Sequence, residues 1–194
     1  LFPISNTALI IIAISQVFVL IWVFRKKNKN DGAPSPAVSE KYPYESMRDM
    51  AINAAPGAML LSLPENETGV YGVVMDWEMS DDYVTLVAYI TGDASLYVKS
   101  GGAIIGGGMH KNVALAAQNW VAMTQPFIAG CAPATTTPLP DKNAVRFYLL
   151  TNRGKFGTQV WTAQLEDNSS AWAPVFANGQ KVIAALQSTV TTQP

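Results

Sequence analysis

The chain has 194 residues, with 13 Lys and Arg against 14 Asp and Glu, one His and one Cys, which allows a membrane segment plus at most one ordinary domain. One cysteine cannot make a disulfide framework, one Cys and one His cannot build a zinc cluster, and a net charge of −1 lacks the basic excess of a nucleic-acid-binding domain. The charged fraction of 14% is well below the roughly 25% of soluble domains, so part of the chain is expected to face something other than water.

That part has an address. After a short stretch, residues 1–6, expected on the outer side, Thr7 to Phe24 (TALIIIAISQVFVLIWVF) carries no formal charge. As a helix it spans roughly 27 Å, just enough to cross a bilayer. Ser15 and Gln16 are the polar side chains near its middle, and the Gln16 amide in hydrocarbon either favours a partner helix in an integral-membrane protein or is simply tolerated there with a little water. Trp22 falls where an indole lies at the headgroup level. Arg25, Lys26, Lys27 and Lys29 follow, with no acidic residue before Asp31. The positive-inside rule then puts this end in the cytoplasm, as a single-pass span with the N-terminus outside. A cleaved signal peptide would carry its charges before the apolar run, and here the order is reversed.

Residues 25–43 form the basic collar and a linker. Gly32, Pro34, Pro36 and Pro43 sit in a polar stretch that buries too little apolar surface to order itself, so it serves as a tether or is ordered by docking. From residue 33 onward there are 13 acidic and 9 basic residues, so the basic charge is concentrated beside the bilayer. There each Lys or Arg gains about 1 kcal/mol from anionic lipid.

Residues 44–188 have the length and mixture of one cytoplasmic domain, followed by a polar tail, 189–194. Met47, Met50 and Ala51 at helical spacing predict a helix over Tyr44–Ala55, stopped by Pro56-Gly57. Ala58–Leu63 reads as a short strand. Val70–Trp77, Tyr83–Ile90 and Ala94–Lys99 are β-branched and aromatic runs separated by Ser80-Asp81-Asp82 and Thr91-Gly92-Asp93, which predicts an antiparallel meander. Alternation in the third run suits a sheet with one covered face. Val113, Ala116, Trp120, Met123 and Phe127 mark a helix stripe. A long loop, Ala129–Lys142, leads to strands Val145–Thr151 and Thr158–Leu165 joined by Asn152-Arg153-Gly154. A last helix, Pro174–Leu186, is expected to bury Phe176, Val182, Ile183 and Leu186. The fold class is α+β, an antiparallel sheet flanked by helices.

Four features could carry chemistry. Gly101, Gly102, Gly106, Gly107 and Gly108 lead into a helix beginning near Lys111, an arrangement whose backbone N–H groups could hold an anion or phosphate. The Walker sequence is missing, and the dinucleotide fingerprint needs a parallel βαβ unit. The plainer reading is that these glycines permit tight turns and close packing. His110 and Cys131 are the one possible Cys–His pair, but a helix separates them and sets them at opposite ends. Asp76, Glu78, Asp81 and Asp82 form an acidic run without the spacing of a calcium loop, expected at a solvated hairpin tip. Trp77, Trp120, Trp161 and Trp172 are expected mostly in the core, with any exposed one suited to a protein interface. No catalytic residues, metal ligands or cofactor are assigned.

The segments Val70–Trp77 (VYGVVMDW), Gly101–Gly108 (GGAIIGGG) and Val145–Thr151 (VRFYLLT) together resemble a family of uncharacterised bacterial proteins, over roughly residues 45–187. The resemblance implies a bacterial source and a compact domain, and brings no activity with it. With the span, it implies the bacterial inner membrane. The sequence therefore points to a non-catalytic accessory subunit of a larger membrane complex, respiratory or photosynthetic by analogy of layout. Its partners would be the bilayer and integral-membrane subunits. The alternative is a tethered anion- or nucleotide-binding module built on the glycine loop.

Overall fold

The computed structural model describes residues 43–191. The apolar segment 7–24, with Gln16 and Trp22, and the collar and linker, with Arg25, Lys26, Lys27 and Lys29, lie outside the described residues, as do 1–6 and 192–194. Among the described residues no helix is long and apolar enough to cross a membrane.

The domain is α+β, as the sequence pattern predicts. Seven strands are involved: β1 (Val70–Met79), β2 (Asp82–Tyr89), β3 (Ala94–Val98), β4 (Ala103–Ile104), β5 (Ala132–Pro133), β6 (Ala144–Thr151) and β7 (Gly154–Trp161). They form one sheet in the order β4-β3-β2-β1-β6-β7-β5, with every neighbour antiparallel. Among the described residues four helices accompany it: α1 (Tyr44–Ile52), α2 (Lys111–Met123), α3 (Thr162–Glu166) and α4 (Ala173–Thr191).

Turn chemistry sets the register. Met79 pairs with Asp82, leaving a two-residue turn whose central Ser80 and Asp81 both have positive φ, 52° and 66°. That is the type I′ geometry whose twist matches the strands it joins. Asn152 and Arg153 make the β6–β7 turn, since Thr151 pairs with Gly154.

Helices cover one face of the sheet along its length. Val73, Met75 and Trp77 of β1, with Leu86, Leu96, Phe147 and Leu149 from neighbouring strands, meet Val113, Ala117 and Trp120 of α2 and Phe176, Val182 and Leu186 of α4. Trp120 is fully buried and donates its indole N–H to the Val175 carbonyl at 2.8 Å, which ties α2 to α4. Trp77 meets Phe176 edge-on at 4.8 Å, and Phe147 stacks on Trp172 at 4.8 Å.

The expectation of one covered face is corrected by the second core. Val74, Val87, Tyr97, Tyr148 and Leu150 point to the other side and pack with Tyr44, Met47, Ala51 and Ile52 of α1. All ten residues of β1 are buried. The alternation that suggests a wet face places Ser95, Tyr97 and Lys99 on it, and of these Tyr97 is buried, since a tyrosine ring packs as an apolar body with a polar tip.

Other boundaries shift for local reasons. Ala58–Leu63 is no strand: Pro56–Met59 forms a 3-10 turn and Leu60 takes a left-handed φ of 56°. Met59, Leu61 and Leu63 still pack on the second core, without pairing. β7 starts at Gly154 rather than Thr158, and Thr162–Glu166 is helical. Phe127 lies beyond α2, in a 3-10 turn Gln125–Gly130, though it still packs on the first core. α4 continues to Thr191, through the first three residues of the expected polar tail.

Candidate functional site

The site is the seat of α1 on the sheet. In register, Thr85 of β2, Asp76 of β1, Arg146 of β6 and Gln159 of β7 stand side by side on the second face, a polar row across an otherwise apolar surface. Asp76 is fully buried. Arg48, at the middle of α1, meets it with two hydrogen bonds, Nε to Oδ1 at 3.0 Å and a terminal guanidinium nitrogen to Oδ2 at 2.5 Å. Thr85 donates its hydroxyl to Oδ1 at 2.6 Å, and the Tyr44 hydroxyl lies 2.7 Å from the same threonine oxygen. The Arg48 guanidinium also stands 5.9 Å from the centre of the Tyr148 ring, within cation–π range.

The far end of α1 is held differently. A helix C-terminus leaves carbonyls without intrahelical partners, and two buried tyrosines supply donors. Tyr89 donates to the Ala51 carbonyl at 2.7 Å and Tyr71 to that of Ala54 at 2.8 Å. Burial pushes the Tyr71 and Tyr89 hydroxyls above the ordinary tyrosine range, and burial together with the Asp76 carboxylate does the same to Tyr44. All three therefore remain protonated donors at any physiological pH.

Beside this seat lies an open cleft of about 330 Å³, lined by Met47, Met50 and Ala51 of α1, Tyr89, Tyr97 and Ile105. Met50 and Ile105 are 56% and 57% exposed. Two unbranched, adaptable thioethers over tyrosine rings form a surface that can re-pack around an apolar guest.

The acidic run is corrected. Asp76, Glu78 and Asp82 are buried, and only Asp81 sits at a solvated tip, 3.0 Å from Lys142. Glu78 accepts the backbone N–H groups of Asp81 and Asn143 at 2.9 and 2.7 Å, and Asp82 those of Tyr83 and Ser100 at 2.8 and 3.1 Å. These carboxylates lock turns, and Asp76 anchors a helix. The spacing signal was present in the sequence, since Asp76 and Glu78 alternate with core residues of a strand. What it lacked was any sign of Arg48, which is 28 residues away.

The glycine loop leads through β4 and a 3-10 turn, Gly107–Met109, into α2, with exposed Lys111 as its first residue. A Cβ on Gly107 would fall 2.4 Å from Leu186 and 2.8 Å from Val113, and one on Gly108 would fall 2.3 Å from the Asp93 carboxylate. Close packing thus requires both glycines, and the nearest charge to Gly108 is negative.

His110 precedes the first turn of α2 and Cys131 follows the 3-10 turn beyond its far end, so one helix of about 20 Å lies between them. The thiol contacts the Phe127 carbonyl at 3.4 Å, and burial pushes it up to about 11. Among the described residues, no group of three or more His, Cys, Asp or Glu is placed to hold a metal ion. Trp77, Trp120 and Trp172 are buried, while Trp161 is 50% exposed.

Compared with known proteins, the chain matches no family model, no curated protein and no solved structure.

Three outcomes follow from this geometry. Arg48→Met leaves a buried carboxylate without its cation and is expected to cost about 3–5 kcal/mol in urea unfolding. Adding Asp76→Val should recover most of that loss, because the uncompensated charge is then gone. Gly107→Ala should cost about 1–3 kcal/mol by overpacking, whereas Gly57→Ala, with nothing within 4 Å, should be nearly neutral. A thiol held near pH 11 is almost wholly protonated at pH 8, so iodoacetamide should modify native Cys131 far more slowly than unfolded chain, with a rate that rises toward pH 11.

Proposed function

We propose that the protein is a non-catalytic, membrane-anchored accessory subunit of a larger bacterial membrane complex, its domain docked on the cytoplasmic face of the inner membrane. The observation that carries this reading is the order of parts in the sequence: an uncharged apolar run, a cluster of basic residues and a Pro- and Gly-containing polar stretch that ends where α1 begins. α1 is fixed to the sheet by a buried ion pair, so wherever residues 7–24 are held, the sheet is held with them. Residues 25–42 extend at most about 60 Å, which restricts the domain to partners at the same membrane surface. Gln16 supports a partner within the bilayer, and exposed Trp161 supports one outside it.

The test is purification of the tagged full-length chain from its native membrane in a mild detergent. Stoichiometric integral-membrane subunits should accompany it, and fewer should do so when Gln16 is replaced by Leu. Recovery only as a free monomer, or from the soluble fraction, contradicts the proposal.

A further inference from the structure

Asn178-Gly179 is the one Asn-Gly pair in the sequence, and such a pair is ordinarily the strongest short-range signal for a turn. Here it lies inside α4, where glycine is also a poor helix former. The exception has a structural cause. A Cβ on Gly179 would fall 3.0 Å from the Trp120 ring and 3.2 Å from the Met75 sulfur, so glycine is what lets α4 close on the fully buried Trp120. The Trp120 indole N–H donates to the Val175 carbonyl at 2.8 Å, the same carbonyl that helical pairing assigns to the Gly179 N–H. One tryptophan thus packs against this glycine and braces the turn of helix that engages its nitrogen.

An Asn-Gly pair on a free backbone is chemically labile, because no Cβ hinders the approach of the glycine nitrogen. That nitrogen attacks the asparagine Cγ, the Cγ–Nδ2 bond breaks, and Nδ2 leaves as ammonia with the proton that the glycine nitrogen gives up. Water then opens the succinimide at either carbonyl, leaving aspartate or isoaspartate. The native helix prevents the first step. A helical ψ of about −42° turns the Gly179 nitrogen away from Cγ, and its N–H is occupied within the helix. The Asn178 side chain is held as well, its Nδ2 donating to the Pro174 carbonyl at 2.8 Å and its Oδ1 accepting from Lys181 Nζ at 3.2 Å.

We propose that Asn178-Gly179 is a deamidation site that the seating of α4 on Trp120 keeps closed. It reacts only in chains whose α4 has opened, and the reaction marks those chains irreversibly. Isoaspartate adds a backbone atom and breaks the helical phase at Gly179, where there is no room for α4 to shift against Trp120. Either product also replaces the donor to the Pro174 carbonyl with a carboxylate, which has no proton to offer. The isoaspartate form therefore cannot reseat α4 on the first core. None of this depends on where the domain is held in the cell.

The test ages the full-length chain in detergent micelles in mildly alkaline buffer, with urea stepped from none to fully denaturing, and maps peptides for aspartate and isoaspartate at residue 178. Conversion without urea should be about a hundredfold or more slower than in the unfolded chain, and should climb with urea as α4 opens. Trp120→Phe deletes the indole donor and should speed conversion of the folded chain about tenfold, leaving the rate in denaturing urea unchanged. If that variant does not fold, the urea series on the unaltered chain decides alone. Chains aged unfolded and returned to native buffer should keep their isoaspartate forms in the protease-sensitive fraction, whereas Asn178→Ala chains treated in the same way should refold fully. The proposal is overturned by folded-state conversion within about threefold of the unfolded rate, by no conversion in denaturing urea, by a folded Trp120→Phe chain that converts no faster, or by isoaspartate forms that regain protease resistance.

Discussion

A carboxylate with no exposed surface, on the central strand of the sheet, is tolerable only if a cation and hydrogen-bond donors surround it. Asp76 has Arg48, Thr85 and, through Thr85, Tyr44, and the other features of the second face follow from that requirement. α1 must lie where Arg48 can reach β1, which brings Tyr44 over β2 and places the helix C-terminus where Tyr71 and Tyr89 can donate to its last carbonyls. The cleft is the space left between the helix, so placed, and the sheet edge at β4. A buried ion pair is weak evidence of stability against an apolar alternative, but it is exacting about geometry. Here that exactness fixes one seat for a nine-residue helix, which alone would be too short to persist in water.

Two cores of different character result. The first, under α2 and α4, is aliphatic and aromatic, and close packing at Trp120, Phe176 and Gly107 holds it together. The second, under α1, combines four tyrosines with aliphatic residues and Met47 around a polar row. Its hydrogen bonds specify position, while its methionines leave a surface that can adapt. The first core thus provides a rigid body, and the second holds α1 in its seat.

Periodic signals were legible in the sequence. The strands of the meander, the 3.6-residue stripe from Val113 to Met123 and the helix burying Phe176, Val182, Ile183 and Leu186 were all visible, because local pattern and tertiary burial agree there. The errors fall where a residue's partner is distant in the chain. Asp76, Glu78 and Asp82 look like a wet turn until Arg48, Asn143 and Ser100 arrive from other elements. Ala58–Leu63 has strand composition, but the left-handed Leu60 and the neighbouring 3-10 turn prevent pairing. The glycine loop is different: tight turns and close packing are its plainer reading in the sequence, and at Gly107 the crowding comes from Leu186, 79 positions later in the chain, a partner no local reading could name.

If the buried pair makes α1 an integral part of the domain, the helix must open only when the sheet opens. Native-state amide hydrogen exchange on the full-length chain measures this directly. The N–H groups of residues 48–52 should exchange with the same free energy and denaturant dependence as those of β1, as one cooperative unit. Exchange of α1 at low free energy while β1 remains protected would contradict the account, because the helix would then be a loosely held appendage and the buried pair would hold nothing in place.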